Sequence, residues 1–420
     1  MSATPPLDLA DEATRDALAA WLAAAAGAGG ARIEDSTPLT GGAIHQHWRI
    51  DVAFDGGPLG GDAVALVLRA EGDATLEESH SVEQEFAIAR VAFEAGVAVP
   101  EPLWQCDDAV LGRAFSIWRF VEGVAAGHLL VRDETLGGPR PALLAQIGAE
   151  LARIQTIEPG RAGLDWLPVP EPSPALAAVA EYRAALDAHP RPRPALEWGL
   201  RWLEREAPET ERLVLVHSDY RTGNFIVGEG GLRGVLDWEF ARWGDPLDDP
   251  GWLSARAWRF NRYDRRAGGL GDLADFERGY GRALPPRALH YWEVMAHIRW
   301  AVIAIHQGER HSSGRQPSLE LALTGRIVDE IELEILTLIE EGERGEYGSG
   351  ADTATAPPPA SEDAAPATDP LDGAALLEAA RGALIDDLAP HVPGGQRYAL
   401  LMADNAMGIA ARELEAGASP

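Results

Sequence analysis

The spacing of apolar and polar positions divides the chain into stretches of different period. An alanine-rich apolar run at 19–26, preceded by Asp8, Asp11 and Glu12, predicts a surface helix over 8–25. It is too short to span a bilayer, and acidic residues stand where a secretory signal carries basic ones. Between 35 and 122 the period is mainly two. WRIDVAF, AVALVLRA and AFSIWRFVEG predict strands, and SVEQEFAIARVAFEAG predicts one helix closed by Gly96 with Pro100 beyond it. From 141 to 343 the helical period dominates, broken at 212–240 by the short β-type runs LVLV, NFIV and LRGVLDW. The fold class is therefore α+β. An N-terminal helix (1–34) leads into a small β-rich lobe (35–122) and a larger, mainly helical lobe (123–345), with the chemistry expected where the lobes meet.

Residues 346–370, rich in Pro, Ala, Ser and acidic side chains with almost no large apolar residue, read as a disordered linker. Beyond it, 371–420 predicts a small helical domain: two amphipathic helices joined by the breaker HVPGG. About 45 residues make a meagre core, so this unit is expected to dock on something, a protein partner being one choice. No later stretch is apolar enough for a membrane span, and there is no internal repeat.

Composition narrows the chemistry. The 420 residues carry 36 basic and 66 acidic side chains, a net charge of 36 − 66 = −30, and every one of the 36 cations is arginine. Without lysine there is no Walker phosphate loop and no Schiff-base amine. Cys106 is the single cysteine, which excludes an intrachain disulfide, a thiolate zinc site and an iron–sulfur cluster, and fits a reducing, cytoplasmic compartment. The acidic balance argues against nucleic acid and against anionic membrane surfaces, which need a basic face.

The most informative stretch is LVLVHSDYRTGNFIVGEGGLRGVLDWEFARWGDPLDD. An aliphatic strand runs into a polar loop holding His217, Asp219 and Asn224, and a hairpin returns to Asp237. Phosphoryl transfer to a hydroxyl needs a carboxylate to take the hydroxyl proton and hard oxygen ligands for magnesium on the nucleotide phosphates. Asp219 suits the first role. Asn224 and Asp237 suit the second.

This stretch resembles the catalytic loop and metal-binding segment of the aminoglycoside phosphotransferase family, small-molecule kinases with a protein-kinase-like two-lobe fold. The tail DWEFARWGDPLDDPGWL is similar to the form found in the branch related to acyl-CoA-dehydrogenase-linked phosphotransferases. The resemblance covers roughly 35–340. It implies ATP and Mg²⁺ as cofactors and a small-molecule hydroxyl as acceptor, a hydroxyacyl-CoA or related metabolite among the candidates. It matches Asp219 to the catalytic base, Asn224 and Asp237 to the metal ligands, His217 to the histidine that supports the loop, and Asp249 to the carboxylate that braces it. Ser218 stands where the family usually has glycine, and strain follows if that position requires a positive φ. Arg221 is a candidate contact for substrate or phosphate, with a salt bridge to an acidic neighbour as the alternative.

The resemblance also implies a turn over the phosphates, here Gly41 and Gly42, and a strand cation oriented by a helix glutamate. The cation position falls to Arg69 and the glutamate to Glu85, with Glu83 as the neighbouring candidate. Arginine keeps the ion pair, with a planar fork in place of an ammonium. SIWRFVEG, around residues 118–122, resembles the strand and hinge that hold adenine. His290, His297 and His306 lack the spacing of a helical zinc pair and read as partly buried or lining the substrate cleft. The tryptophans at 243, 252, 258, 292 and 300 read as core that surrounds the acceptor side. Two other classes compete with the kinase. One is a catalytically weak nucleotide-binding pseudokinase or scaffold whose C-terminal helices dock a partner, suggested by Arg69 and Ser218. The other is a metal-dependent hydrolase, which leaves the β-rich lobe and Glu85 unexplained.

Overall fold

A computed structural model describes residues 7–39, 45–72, 79–107, 109–316, 318–347 and 373–417. Gly41, Gly42 and all but the first two residues of the expected linker lie outside these. Helix α1 (Glu12–Ala26) opens the chain, with Asp11 accepting from the Thr14 N–H as its N-cap. Strands β1 (Ala31–Pro38), β2 (His45–Phe54) and β3 (Val64–Glu71) precede helix α2 (Val82–Glu94), and β4 (Pro102–Cys106) and β5 (Phe115–Arg119) follow it. The five strands form one antiparallel sheet in the order β1-β2-β3-β5-β4. β1 is a difference from the sequence pattern. Its residues, ARIEDSTP, bury only Ile33, as suits a largely polar edge strand with no clear alternation to read.

Period two along β3 decides what each face does. Leu66, Leu68 and Ala70 join Leu18 and Leu22 of α1 and Ile50 and Val52 of β2 in one apolar cluster. Arg69 therefore points to the opposite face, the one α2 approaches. On α2, Ser81 and Gln84 form a reciprocal capping box. The helical period buries Val82, Glu85, Phe86 and Ala89 along one stripe and leaves Glu83 exposed. The same spacing that packs the helix thus carries Glu85 inward.

The helices α3 (Gly127–Arg132), α4 (Arg140–Ile154), α5 (Pro174–Ala188) and α6 (Pro194–Arg205) lead to two small β pairs. β6 (Val214–Val216) pairs with β9 (Arg242–Gly244), and β7 (Phe225–Gly228) with β8 (Gly231–Val235), all antiparallel. Then come α7 (Asp248–Ser254), α8 (Leu273–Tyr280), α9 (Pro286–Ser312), α10 (Leu319–Arg326), α11 (Val328–Arg344), α12 (Gly373–Gly382) and α13 (Gly394–Gly417). The break between the two helices falls earlier than the glycines of HVPGG suggest: Gly394 and Gly395 already belong to α13, and a π turn with a 3₁₀ turn spans 383–391.

The chain divides into two compact units. The first takes its described residues from Met1–Glu181, Leu200–Ala296 and Glu340–Gly350, and holds the sheet, α2 and both β pairs. The second takes them from Tyr182–Gly199, His297–Ile339 and Ala351–Pro420. Within the second, the Arg381 guanidinium of α12 donates to Asp404 of α13, tying those helices together. No helix among the described residues is long and apolar enough to cross a membrane.

In the first unit α4 and α8 cross so closely that side chains are excluded at the contact. A Cβ on Gly279 would overlap the Ala145 carbonyl, and one on Gly148 the Phe276 carbonyl. Backbone cannot yield as a side chain does, so Gly279→Ala is expected to cost about 2 kcal/mol and lower the Tm by several degrees in a thermal melt.

Candidate active site

The strand β6 delivers the loop 217–224, and two backbone donors anchor it. Asp249, at the start of α7 and fully buried, accepts the His217 N–H on Oδ2 and the Ser218 N–H on Oδ1, each at 2.8 Å. Ser218 has φ 64°, in the left-handed region where glycine is the unstrained residue. The doubly bonded carboxylate holds the two peptide groups where that conformation is required.

His217 is completely buried. Its Nε2–H donates to the Leu236 carbonyl at 2.9 Å, and Nδ1 accepts the Asp219 N–H at 3.2 Å, which assigns the neutral tautomer. Burial holds its pKa down at about 4, against the pull of Asp219 and Asp237. The ring ties the loop to the end of β8, since Leu236 lies between Val235 and Asp237.

Asp219 is gripped on both oxygens. Oδ1 accepts from Arg221 Nε at 2.9 Å and Trp252 Nε1 at 2.8 Å, while Oδ2 accepts from Asn224 Nδ2 at 2.6 Å. The Arg221 guanidinium also lies over the Trp258 ring, 4.4 Å from its centroid. Of the two alternatives for Arg221, the salt bridge is the one formed, and its partner is Asp219. Asn224 sits opposite Leu236, whose N–H donates to its carbonyl at 2.8 Å, so the hairpin sets Asn224 beside Asp237.

Arg69 joins the sheet to this loop. Its Nε lies 2.8 Å from Glu85, its Nη1 donates to Asp237 Oδ1 at 2.9 Å, and its Nη2 stands 3.8 Å from Glu239. Burial opposes the guanidinium charge, but Glu85, Asp237 and Glu239 outweigh it and hold its pKa above the ordinary value. Burial, helped by Glu239 and Asp237, pushes Glu85 up to about 8 despite Arg69. For Asp237 burial acts upward too, yet Arg69 prevails and holds the carboxyl below the usual range. One cation thus faces three carboxylates in a desolvated place.

Several residues that the sequence pattern did not single out complete the site. His47 and His45 of β2 approach Arg69 and Glu239, at 3.1 and 3.4 Å. His80, just before the α2 cap, donates its N–H to the Glu239 carbonyl at 2.8 Å and its Nε2–H to the Ala241 carbonyl at 2.7 Å, pinning the start of α2 to the segment after Asp237. Arg259 and Arg266 both bind the buried Glu293, at 2.7 and 2.6 Å, fastening the turn that carries Trp258. Period and register held part of this signal, since Glu239 follows Asp237 by two. The pairing of His47 with Arg69 needs the β2–β3 register. His290 and His297 are buried in packing, and Trp243 donates to the Leu167 carbonyl. Among the described residues no cluster of three or more His, Cys, Asp or Glu side chains converges as a metal site.

A sheet-borne cation paired with a helix glutamate, above a loop that presents a restrained aspartate beside an Asn–Asp pair, is the architecture of a kinase-like phosphotransferase. The family model of the phosphotransferase enzyme family (APH) matches residues 35–290, and the chain belongs to that family. It is thereby placed among phosphotransferase enzymes. Acyl-CoA dehydrogenase family member 10 of Mus musculus is 28% identical over 289 residues, 63% of this chain and 26% of its own. Acyl-CoA dehydrogenase family member 11 of Gallus gallus is 31% identical over 199 residues, 45% of this chain and 25% of its own. The chain thus matches about a quarter of the length of these curated relatives. Among solved structures, a candidate aminoglycoside phosphotransferase from Ralstonia eutropha JMP134 has a TM-score of 0.59 at 20% identity, covering 78% of this chain and 98% of that one. An ethanolamine kinase of Plasmodium vivax has a TM-score of 0.52 at 13% identity, covering 72% and 83%. These likenesses establish the kinase-like α+β fold.

Two outcomes follow from the loop. Ser218→Gly removes the left-handed strain and is expected to raise stability by about 1 kcal/mol, read as a higher denaturant midpoint. His217 is kept neutral by folding, so its contribution is fully present above its unfolded value of 6.5 and is lost as the pH falls through about 4. The difference of 2.5 units corresponds to about 3 kcal/mol. Glu85, raised by folding, acts with the opposite sign between 8 and 4.5. The measurement is therefore a comparison: between pH 6.5 and 4 the native chain should lose up to about 3 kcal/mol more than His217→Gln.

Proposed function

We propose that the chain is an ATP- and Mg²⁺-dependent phosphotransferase that moves the γ-phosphoryl group to a hydroxyl of a small molecule. The observation that carries this reading is the convergence of Arg69 on Glu85 and Asp237, one hairpin away from an aspartate held on both oxygens. Asp219 orients the acceptor hydroxyl and takes its proton as the bond to phosphorus forms. Trp252, Arg221 and Asn224 fix the angle of that carboxylate, and in a reaction dominated by positioning this is the main service a side chain can give.

The donor set fits magnesium. Asp237 offers a partly accessible carboxylate, and Asn224 turns Nδ2 to Asp219, which directs its Oδ1 end away from the base. Two protein oxygens suit an ion that keeps water and phosphate in its remaining positions. When bound, magnesium neutralises charge on the phosphates, and the excess of carboxylate around Arg69 favours a further cation there. Gly41 and Gly42, which fall between β1 and β2 in sequence and lie outside the described residues, and the chain after β5 belong to the same reading of the nucleotide site. The lobes take the bounds 35–122 and 123–345, and the C-terminal helices form a docking module.

For the acceptor, the names of the curated relatives point to acyl-CoA chemistry, which favours a hydroxyacyl-CoA or related metabolite. Arg221 beside the base also suits an acceptor that is not a polycation. Thermal shift with ATP and Mg²⁺ tests the nucleotide half: ligand at about 100 times its Kd should stabilise the native chain by about 2.7 kcal/mol, and Asp237→Ala should lose the magnesium-dependent part. Asp219→Ala should retain that shift and lose turnover by about 10²–10⁴, measured as ADP release in a screen of hydroxylated metabolites including hydroxyacyl-CoAs. Absence of any magnesium-dependent shift in the native chain would refute the kinase reading.

A further inference from the structure

Arginine in the place of a phosphate-gripping lysine raises a geometric problem. An ammonium group has three donors that rotate freely, whereas a guanidinium has five in a fixed plane, and a buried donor left without an acceptor costs about as much as a lost hydrogen bond. Arg69 is almost wholly buried, and its donors can be followed one by one. Nε faces Glu85 at 2.8 Å. Nη1 carries two hydrogens, and Asp237 Oδ1, at 2.9 Å, takes one of them. The second meets His47, whose Nε2 lies 3.1 Å from Nη1.

The antiparallel register makes this meeting obligatory, because His47 of β2 is the direct cross-strand partner of Arg69. A guanidinium only donates, so His47 must present a lone pair at Nε2 and carry its proton on Nδ1. Two donor directions are then used, Asp237 and His47 on Nη1, while Glu85 meets Nε as an ion pair without hydrogen-bond geometry. Together they fix the roll of the guanidinium plane about the side-chain axis. Nη2 stands 3.8 Å from Glu239, at ion-pair distance and beyond a hydrogen bond.

We infer that His47 is a positioning residue for the nucleotide: its neutral imidazole accepts the second Nη1 hydrogen of Arg69 and so sets the Nη2 edge toward the nucleotide phosphates. The inference rests on Arg69 being the phosphate grip, as in the function proposed above. It adds that an arginine grip at this position requires an acceptor on the neighbouring strand, which a lysine would not.

Calorimetric titration of the full chain with Mg·ATP, Mg·ADP and adenosine tests this without knowledge of the acceptor. His47→Leu should weaken ATP and ADP about tenfold and leave adenosine unchanged, since only the phosphates meet Arg69. His47→Gln, which returns an amide oxygen near the place of Nε2, should recover most of that loss, and the shorter His47→Asn should not. In an Arg69→Lys background, His47→Leu should cost less than twofold. If His47→Leu weakens adenosine as much as ATP, the residue only packs the strand and the inference fails. If Arg69→Met weakens ATP but His47→Leu does not, the inference fails and the proposed nucleotide site stands. If Arg69→Met leaves ATP affinity unchanged, the grip itself is refuted and the inference with it. Should His47→Leu not fold, the Gln and Asn variants decide alone: equal ATP affinities in the two would overturn the proposal.

Discussion

One buried cation organises the catalytic half of this molecule. A guanidinium taken out of water is tolerable only when its charge and its donors are met, and Arg69 is met by groups from three parts of the chain: Glu85 on α2, Asp237 and Glu239 beyond β8, and His47 on β2. Removing any one partner leaves charge or donor uncompensated. The cluster therefore registers the sheet, the helix and the segment after β8 to one another. It also concentrates negative charge, since three carboxylates surround one cation, and burial, with Glu239 and Asp237 adding to it, pushes Glu85 up. A site of this kind is stable as a polar network and becomes chemically useful when a further cation enters it.

The loop 217–224 is held by a second device. The Asp249 carboxylate spans two consecutive backbone donors, and the His217 ring bridges from the Asp219 N–H to the Leu236 carbonyl. Both act on peptide groups, so they determine where the loop runs without engaging the Asp219 carboxylate. That carboxylate is oriented by Arg221, Trp252 and Asn224, drawn from its own loop and from α7. His80 adds a link of the same sort between the N-terminus of α2 and the backbone at 239–241. Geometry in this site is thus carried largely by backbone contacts and by side chains that bond to one another.

Much of this was readable along the chain. The α+β outline, the strands at WRIDVAF and AVALVLRA, and the helix from 82 to 94 follow from period, since a strand or helix with one buried face must repeat at two or 3.6. The spacing of His217, Asp219, Asn224 and Asp237 foreshadowed their meeting in one place, because each lies on a loop or strand end whose turn residues fix the offset. The choice of Glu85 over Glu83 came from the family resemblance, and the buried stripe of α2 agrees with it by including one and excluding the other. β1 escaped, being an edge strand whose polar residues have no inner face to advertise. The true extent of α13 escaped as well, because glycines in a helix's first turn look the same in sequence as glycines in a breaker.

What stayed hidden is whatever depends on partners distant in the chain. Nothing within a few residues of Arg69 tells that its Nη1 will lie between Asp237, 168 positions away, and His47, 22 positions away. That requires the sheet register and the closure of the hairpin over it. The sequence could say that Ser218 would be strained if φ were positive; only the Asp249 carboxylate, 31 residues on, makes it so. Local pattern is determined by which faces must avoid water, a property each segment carries with it. The donor, acceptor and charge balance of a buried site belongs to several segments at once, and it exists only after they have packed.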